Sequence, residues 1–327
     1  MKKATAIIPV AGEGTRLRPH TYSVPKVLMS VAGKAMISHI LDRLVDSGIE
    51  DVVFIIGHMG AEVRGFVERN YDFNARFIEQ PERKGLGHAI YLAKDATPPG
   101  PVLIVLGDTL FRADLAEVLR SRVSLIAVKK TDDPRRFGIV KLDGNRVVGI
   151  VEKPADPPSD LAVIGIYYLT DSGVLFDCLD EIISRDVKTK GEYQLTDALA
   201  LMTDRGERLE VFTVDGWYDC GKKETLLQTN KELLDLEAQK VRIEGTVVLD
   251  PVAVHPRADI VNCVVGPYVS VAEGSRIKNS IVRNSILEEG SNVEDAFLDG
   301  SLIGKGCSVK GRPEVLNIGD SCEVEVV

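Results

Sequence analysis

The residues after the first apolar run carry two glycines and two cations at a spacing suited to phosphate. Gly12 and Gly14 let the backbone approach a ligand closely and expose N–H donors to phosphate oxygens. Arg16 adds a fixed charge with a forked set of donors, and Lys26 adds a second cation. The segment therefore predicts a local phosphate-binding loop in a chain whose net charge is −9.

Two common phosphate-binding motifs fail on spacing. A dinucleotide fingerprint needs a third glycine where Leu17 stands. A P-loop needs Gly-Lys followed by Ser or Thr, whereas Gly33-Lys34 precedes Ala35, and Leu28 stands where the first glycine should be. A glycine-rich segment without either motif is often a plain turn, so other segments must decide its role.

Strands and helices alternate around this loop and must position it. Near-continuous apolar runs predict buried strands at Ala4–Val10, Asp51–Ile56 and Val102–Leu106. Apolar residues at helical spacing predict helices at Met36–Val45, Ala61–Glu68 and Lys222–Lys240. This rhythm predicts an α/β fold, with a Rossmann-like, mostly parallel but mixed sheet and helices on both faces. Ligands bind such sheets beyond the carboxyl ends of the strands, so the loops there should carry the chemistry.

The pattern changes after residue 240, where helix signals vanish and short apolar pairs recur between glycines and prolines. Val254–Ile260 and Val271–Ile277 match in their apolar positions, 17 residues apart. Val264–Val271 is similar to Ile286–Val293 and to Leu302–Val309. Apolar residues at steps of six predict a parallel β-helix of hexapeptide repeats, with about four or five irregular coils. An irregular β-sandwich is the alternative.

Composition limits the partners of this protein. The 327 residues include 40 Lys and Arg against 49 Asp and Glu, so the chain has no general electrostatic reason to bind nucleic acid. No apolar run approaches the roughly 18 to 20 residues that cross a bilayer. The first run ends at Pro9, too early for a secretory signal, so a cytoplasmic protein without a membrane partner is expected. The five cysteines form no CxxC pair, which argues against a disulfide framework or a zinc site.

Six segments, in order, resemble the sugar nucleotidylyltransferases, which join a nucleoside triphosphate to a sugar 1-phosphate. The first is the glycine-rich loop together with Pro25-Lys26. The other five are Glu79-Gln80-Pro81 with Gly85-Leu-Gly-His-Ala89, Gly107-Asp108, Phe137-Gly138, Glu152-Lys153-Pro154 and Trp217-Tyr-Asp-Cys-Gly221. The resemblance implies a catalytic nucleotidyltransferase domain over residues 1–225, a linker helix over 226–240 and a left-handed β-helix domain over 241–327.

The resemblance also implies a role for each matching position. Arg16, Lys26 and Asp108 would be catalytic, and Mg2+ would be held by Asp108 and Asp219. The residues that would bind the nucleotide are Ala11, Gly12, Gly14, Thr15, Gln80 and Gly85. Those that would bind the sugar phosphate are Leu86, Gly138, Glu152, Lys153 and Gly165. In this assignment Lys153 binds the phosphate, Glu152 binds the sugar hydroxyls and the Gln80 amide reads the base.

Simpler structural roles are open for several of these residues. Asp108 could cap the following helix, Asp219 could close a turn, and Lys153 could be a solvated surface lysine. Glu192 and Tyr193 resemble a further family segment near the sugar, although the same stretch could be no more than the start of a helix.

The implied reaction is a single in-line displacement of pyrophosphate by the sugar 1-phosphate. Thymidylyl enzymes often have Gln after the Pro-Lys pair, where this chain has Val27, and the stretches around His88 and Cys220 resemble uridylyl enzymes. Long forms with a β-helix occur among relatives of glucose-1-phosphate thymidylyltransferases. The resemblance therefore places dTTP slightly ahead of UTP, with glucose 1-phosphate as the second substrate.

The sequence is also compatible with two other functions. A hexapeptide β-helix often transfers an acetyl group from acetyl-CoA, and His255 would be the base, although the tail lacks a lysine- and histidine-rich acceptor site. A non-catalytic nucleotide sensor would tend to lose the loop arginine or the metal carboxylates, and both are present here. The flat ends of a β-helix suit subunit contacts, so a homo-oligomer is expected.

Overall fold

The computed structural model describes residues 3–238, 240–311 and 315–326. The chain forms two compact units. The first, called the sheet unit, comprises the residues up to 12 and residues 40–217. The second, called the β-helix unit, comprises residues 13–39 and the chain from 218 onward. Most of the predicted phosphate-binding loop therefore belongs to the β-helix unit, and the domain boundaries expected after residues 225 and 240 remain a prediction.

Nine strands of the sheet unit form one sheet. In chain order, the first thirteen strands are β1 (Thr5–Pro9), β2 (Ser30–Val31), β3 (Lys34–Ala35), β4 (Asp51–Ile56), β5 (Asn74–Glu79), β6 (Val102–Val105), β7 (Thr109–Arg112), β8 (Ser124–Lys130), β9 (Gly138–Asp143), β10 (Arg146–Glu152), β11 (Leu161–Leu169), β12 (Leu209–Thr213) and β13 (Gly216–Asp219). The order in the sheet is β5-β4-β1-β6-β11-β8-β12-β10-β9. Between these neighbours, four pairings are parallel and four antiparallel, so the sheet is mixed.

The parallel half of the sheet, from β5 to β6, is the part that the apolar runs predict. The bounds of β4 are as predicted, β1 is one residue shorter at each end, and β6 ends one residue earlier than predicted. Ile7, Phe54 and Ile104 are fully buried, as expected for strands covered on both faces. The α/β prediction is confirmed, and the carboxyl ends of these strands are where the predicted ligand-binding loops begin.

Helices support the sheet and carry part of the site. The described helices are α1 (Met36–Asp46), α2 (Gly60–Asn70), α3 (Leu86–Tyr91), α4 (Leu115–Val118), α5 (Ser172–Ser184), α6 (Leu195–Asp204) and α7 (Lys223–Glu237). The three predicted helices correspond to α1, α2 and α7. Helices α3, α5 and α6 pack together in the core of the sheet unit, and α6 also packs on β10. In the part of the chain that the structure describes, no helix has both the length and the apolar character needed to cross a membrane.

The C-terminal strands are short and pair in three parallel ladders. They are β14 (Val247–Val248), β15 (Val252–Val254), β16 (Asp259–Val261), β17 (Val264–Val265), β18 (Val269–Val271), β19 (Arg276–Lys278), β20 (Ile281–Arg283), β21 (Ile286–Leu287), β22 (Asn292–Glu294), β23 (Phe297–Asp299), β24 (Leu302–Ile303), β25 (Ser308–Gly311), β26 (Asn317–Ile318) and β27 (Glu323–Val326). The ladders are β14-β17-β20-β23, β15-β18-β21-β24-β26 and β16-β19-β22-β25-β27. This arrangement agrees with the predicted parallel β-helix.

The pairing register confirms two of the predicted repeats and corrects a third. Val254 pairs with Val271, and Ile286 pairs with Leu302, as their sequence matches predict. Val264, however, pairs with Ile281 and not with Ile286, so that predicted equivalence is wrong. Each complete coil contributes one strand to each of the three sheets, and these strands share the same apolar spacing. A sequence alignment shifted from one sheet to the next therefore still matches apolar residues with apolar residues.

Candidate active site

Gly138 and Glu152, two of the residues predicted to bind the sugar phosphate, meet at the start of β9 and the end of β10. Gly138 and Glu152 are paired across these strands, and the Thr196 hydroxyl donates to Glu152 Oε2 at 2.9 Å. A Cβ built on Gly138 would lie 2.8 Å from Thr196 Cγ2 and 3.1 Å from Glu152 Oε2. The absence of a side chain at Gly138 is therefore what lets the Thr196 hydroxyl reach and orient the carboxylate.

Lys153 is held in an unusual backbone conformation beside this carboxylate. Its φ is 43°, in the left-handed region that non-glycine residues avoid, and its N–H donates to Phe137 O at 3.0 Å. Lys153 Nζ lies 3.3 Å from Glu152 Oε1, and the lysine side chain is 47% exposed. The geometry presents an amine and a carboxylate side by side, with the amine accessible to an anion. The exposed amine is also what the alternative of a solvated surface lysine expects, so the phosphate-binding role of Lys153 remains a prediction.

No pattern in the sequence predicts the contacts of Thr196 and Asp197. Asp197 lies in the first turn of α6, and its Oδ2 is buried without a hydrogen-bond partner among the described residues. Burial first, and then the charge of Glu152, raise the pKa of the Asp197 carboxyl, while a hydrogen bond from Thr189 acts in the opposite direction. The sequence signal was the polar start of α6, which predicts a helix start but not a contact with β10.

Asp108 and Gly165 lie at the same end of β6. Gly165 O accepts the N–H of Leu106 at 2.9 Å, and Gly107 donates its N–H to Pro9 O at 3.2 Å. Gly165 has a φ of 83°, and a Cβ built on it would lie 2.6 Å from Leu106 Cδ1. Asp108 follows in the turn and is exposed. The capping alternative for this residue is wrong, because the cap of α4 is the side chain of Asp114, which accepts the N–H of Glu117.

The predicted base-reading residues form a separate group after β5. Gln80 is 9% exposed, and its Nε2 lies 3.4 Å from Gly85 O and 3.3 Å from His88 Nδ1. Burial, and then the nearby Lys84 cation, lower the pKa of His88, so its ring tends to be neutral. The amide of Gln80 is thus held beside the start of α3, where Leu86 is the first residue.

Gly85, one of the predicted nucleotide-binding residues, contacts the residues that precede α6. Its φ is 108°, and a Cβ built on it would lie 2.5 Å from Tyr193 O. Tyr193 donates its N–H to Lys84 O at 2.8 Å and accepts the N–H of Gly87 at 2.8 Å. The stretch from 192 to 196 therefore contacts Gly85 on one side and Gly138 on the other, and it brings the predicted base and sugar residues of the sheet unit together.

The part of the predicted phosphate-binding loop that belongs to the β-helix unit is held by contacts among its own residues. The Thr21 hydroxyl donates to Gly14 O at 2.9 Å, and a Cβ built on Gly14 would lie 2.9 Å from Lys26 Cβ. Lys26 is 8% exposed, whereas Thr15 and Arg16 are exposed at the start of a short 3-10 helix. The structure thus brings Gly14 and Lys26 into contact, and the phosphate-binding role of this loop remains a prediction.

Arg16 and Asp219 also meet in the β-helix unit. A Cβ built on Gly221 would lie 2.9 Å from Asp219 Oδ1 and 3.1 Å from Arg16 Nη2. Both side chains therefore lie next to Gly221. Asp219 Oδ1 accepts the N–H of Gly221 at 2.8 Å. This bond is the turn contact that the simpler interpretation of Asp219 expects, and the carboxylate is nevertheless exposed.

The predicted site residues are divided between the two units. The sheet unit contains Ala11, Gly12, Gln80, Gly85, Leu86, Asp108, Gly138, Glu152, Lys153 and Gly165, and the β-helix unit contains Gly14, Thr15, Arg16, Lys26 and Asp219. A shared Mg2+ between Asp108 and Asp219 therefore remains a prediction. Among the described residues, no group of three or more His, Cys, Asp or Glu side chains is arranged to hold a metal ion.

The sequence between residues 5 and 236 matches the family model of the nucleotidyl transferases. This match covers more than half of the chain, and the chain belongs to that family. The resemblance drawn from the six ordered motifs is confirmed, and so is the fold class, a Rossmann-like mixed α/β core followed by parallel strands in three sheets.

Relatives that extend over most of the chain support the same assignment. The low-salt glycan biosynthesis nucleotidyltransferase Agl11 of Haloferax volcanii is 30% identical, over 93% of this chain and 93% of its own. A glucose-1-phosphate thymidylyltransferase of Streptomyces antibioticus is 29% identical, over 98% of this chain and 99% of its own. A solved UDP-glucose pyrophosphorylase complexed with UDP-glucose has a TM-score of 0.60 at 23% identity, over 72% of this chain and 100% of its own, which establishes the fold alone.

Proposed function

We propose that the protein joins the nucleotidyl group of dTTP or UTP to glucose 1-phosphate and releases pyrophosphate. The observation that carries this proposal is the arrangement of Gly138, Glu152 and Lys153, with a fixed carboxylate and an accessible amine side by side. A carboxylate accepts hydrogen bonds from sugar hydroxyls, and an amine suits a phosphate. We place dTTP ahead of UTP because the Streptomyces relative, similar over nearly the whole chain, is named a thymidylyltransferase.

The proposed chemistry depends on positioning more than on proton transfer. A phosphate oxygen of the sugar 1-phosphate attacks the α-phosphorus, and the bond from that phosphorus to the bridging oxygen breaks as pyrophosphate leaves. The attacking oxygen is already an anion, so no general base is required. Arg16 and Lys26 would neutralise the triphosphate and Lys153 would bind the sugar phosphate, which lets two polyanions approach despite their repulsion.

Mg2+ is the proposed cofactor, with Asp108 and Asp219 as its protein ligands. Both carboxylates are exposed, and Mg2+ prefers carboxylate and phosphate oxygens, so the donor chemistry fits. When bound, the ion would supply further neutralisation of charge at the transferred phosphate.

The two other functions are not favoured. His255, the candidate base for acetyl transfer, accepts the N–H of Arg257 through Nδ1 at 3.2 Å, and its Nε2 lies 3.9 Å from Glu273 Oε2. These contacts give the ring a local structural role. A purely sensing role is not favoured because the loop arginine and both carboxylates are present.

The experiment that tests the proposal is a screen of pyrophosphate release. It crosses the four common triphosphates with the 1-phosphates of glucose, galactose, mannose and N-acetylglucosamine. We expect the fastest release with dTTP and glucose 1-phosphate, followed by UTP. Release at background in every combination would reject the proposed activity, and a different fastest pair would correct the substrates only.

A further inference from the structure

The segment that continues the predicted phosphate-binding loop is bonded to a middle coil and to the last coil of the β-helix. His20 is 2% exposed, and its Nε2 donates to Asn317 Oδ1 at 2.8 Å. Ser30 donates its backbone N–H to Glu288 Oε1 at 2.8 Å. Both acceptors belong to the same ladder of the β-helix, at β26 and directly after β21. The loop segment is therefore attached at two points to one rigid surface.

A third contact lies between these two points. The Ser23 hydroxyl donates to Asp320 Oδ2, while Asp320 Oδ1 accepts the backbone N–H of Lys305 at 2.8 Å. Beside it, a Cβ built on Gly319 would lie 3.0 Å from Pro19 Cβ, so the backbone of the coil contacts the loop directly. The Asp320 carboxylate that accepts the Ser23 hydroxyl is thus also held by its own coil, and a side chain at Gly319 would crowd Pro19.

These contacts are adjacent to the predicted phosphate-binding residues. Thr21 follows His20, and its hydroxyl bonds Gly14 O at 2.9 Å. Gly14 is in turn packed against Lys26, 2.9 Å from a Cβ built on the glycine to Lys26 Cβ. A displacement of His20 would consequently reach Gly14 and Lys26 through a single intervening residue.

We propose that Asn317, Asp320 and Glu288 are positioning residues, through which the β-helix holds the phosphate-binding loop in its active geometry. The proposal rests on the proposed nucleotidyl transfer. It gives the β-helix a direct part in turnover, in addition to any role in assembly. A misplacement of about 1 Å costs on the order of 100-fold in rate, so modest loosening of this contact is expected to be measurable.

The test compares three variants of the full-length chain. Asn317→Ala removes the acceptor for His20, Asn317→Asp keeps an acceptor oxygen, and Asn292→Ala is the matched control on β22, where the side chain is exposed and bonds Ser308 Oγ at 3.5 Å. We expect kcat to fall at least tenfold in Asn317→Ala, with the KM for glucose 1-phosphate within twofold of the parent. Asn317→Asp and Asn292→Ala should retain kcat.

Hydrogen exchange of the backbone amides from 14 to 30 gives a readout that does not depend on activity. We expect faster exchange there in Asn317→Ala than in Asn292→Ala. Unchanged exchange together with an unchanged kcat, or equal losses of kcat in both alanine variants, would overturn the proposal. If the parent protein transfers no nucleotide at all, the proposed function fails, and the exchange result still decides whether the β-helix holds the loop.

A second variant keeps the proposal testable if Asn317→Ala does not fold. Gly319→Val inserts a side chain toward Pro19 while leaving all three hydrogen-bond acceptors in place. We expect a fall in kcat of about tenfold and faster exchange at residues 14–30, because the loop is displaced and a displaced phosphate-binding group loses alignment. Parent-like values in both measurements would contradict the positioning role.

Discussion

The predicted site residues of the two units are held in place mainly by different contacts. In the sheet unit, the sugar and base residues depend on close approach at glycines, as at Gly85 and Gly138. In the β-helix unit, the predicted phosphate-binding loop is held mainly by hydrogen bonds to the coils, as between His20 and Asn317, besides the close approach of Gly319 to Pro19. An added atom at a close steric contact lowers stability sharply, whereas the loss of one hydrogen bond lowers stability by a smaller amount that can depend on pH. The units should therefore differ in how they respond to substitution.

The largest effect is expected for Gly85→Ala in the sheet unit. The new Cβ would lie 2.5 Å from Tyr193 O at a φ of 108°, so strain and a backbone clash add. We expect the free energy of unfolding to fall by about 3 kcal/mol or more. Gly290→Ala is the matched control in the β-helix, with a φ of 68° and open space within 4 Å, and should cost about 1 kcal/mol. Equal losses of stability for the two variants in denaturant titrations would contradict the expected steric clash at Gly85.

The kinetic comparison between the units uses Lys153→Ala and Arg16→Ala. Loss of a charge-assisted contact is worth about 1.5 to 3 kcal/mol, or roughly 10- to 100-fold. We expect Lys153→Ala to raise the KM for glucose 1-phosphate by this factor, because it binds the sugar phosphate in the ground state. Arg16→Ala should mainly lower kcat. Equal defects in KM and kcat for both variants would count against the two assignments.

Thr196→Val tests the orientation of Glu152 in the sheet unit. The substitution removes the hydroxyl that donates to Oε2 at 2.9 Å, so the carboxylate loses its fixed position. We expect the KM for glucose 1-phosphate to rise by about tenfold, equivalent to about 1.4 kcal/mol. Thr203→Val on the same helix is the control, since its hydroxyl bonds Ala200 O, and it should leave KM unchanged.

The smallest effect concerns pH and the β-helix unit. Burial raises the pKa of Glu288 from its ordinary value of 4.5 to about 7; the bonds from Ser30 act in the opposite direction, and Asp320 and Glu289 nearby add to the rise. Folding therefore favours the neutral acid, so this stabilisation is complete below pH 4.5 and is lost as pH rises through about 7.

Glu288→Gln should remove that dependence. Between pH 6 and pH 8 we expect the free energy of unfolding of the parent to fall by about 1 kcal/mol more than that of the variant. Glu289→Gln, on the same coil and exposed, should keep most of the parent's pH dependence, because burial is the main cause of the raised pKa of Glu288 and the Glu289 charge is the smallest. Parallel stability curves for the parent and Glu288→Gln would show that this carboxyl does not titrate in the native state.

The sequence predicts local features of the fold better than contacts between distant segments. Long apolar runs mark β1, β4 and β6 because buried parallel strands need apolar residues on both faces. Ordered motifs locate Gly138 and Glu152, which do pair. The contact of Thr196 with Glu152 depends on α6 packing on β10, and no local pattern encodes that packing.

The β-helix unit shows the same limit. The helical spacing of α7 places Asn230 on the same face as Leu226 and Leu233, and Asn230 is 1% exposed. Its Oδ1 accepts the N–H of Ala32 at 2.9 Å and the hydroxyl of Ser270, partners 198 and 40 residues away. The spacing of α7 predicts burial, but it contains no information about which distant groups complete the hydrogen bonds.

The most direct test of the central claim follows both phosphates through the reaction. The protein is incubated with dTTP labelled at the α-phosphorus with one phosphorus isotope and glucose 1-phosphate labelled with another, in the presence of Mg2+. The proposed displacement predicts one sugar nucleotide that carries both labels, released together with unlabelled pyrophosphate in equal amounts. Labelled nucleoside monophosphate with the glucose 1-phosphate left unchanged would mean hydrolysis of the triphosphate, and would contradict nucleotidyl transfer.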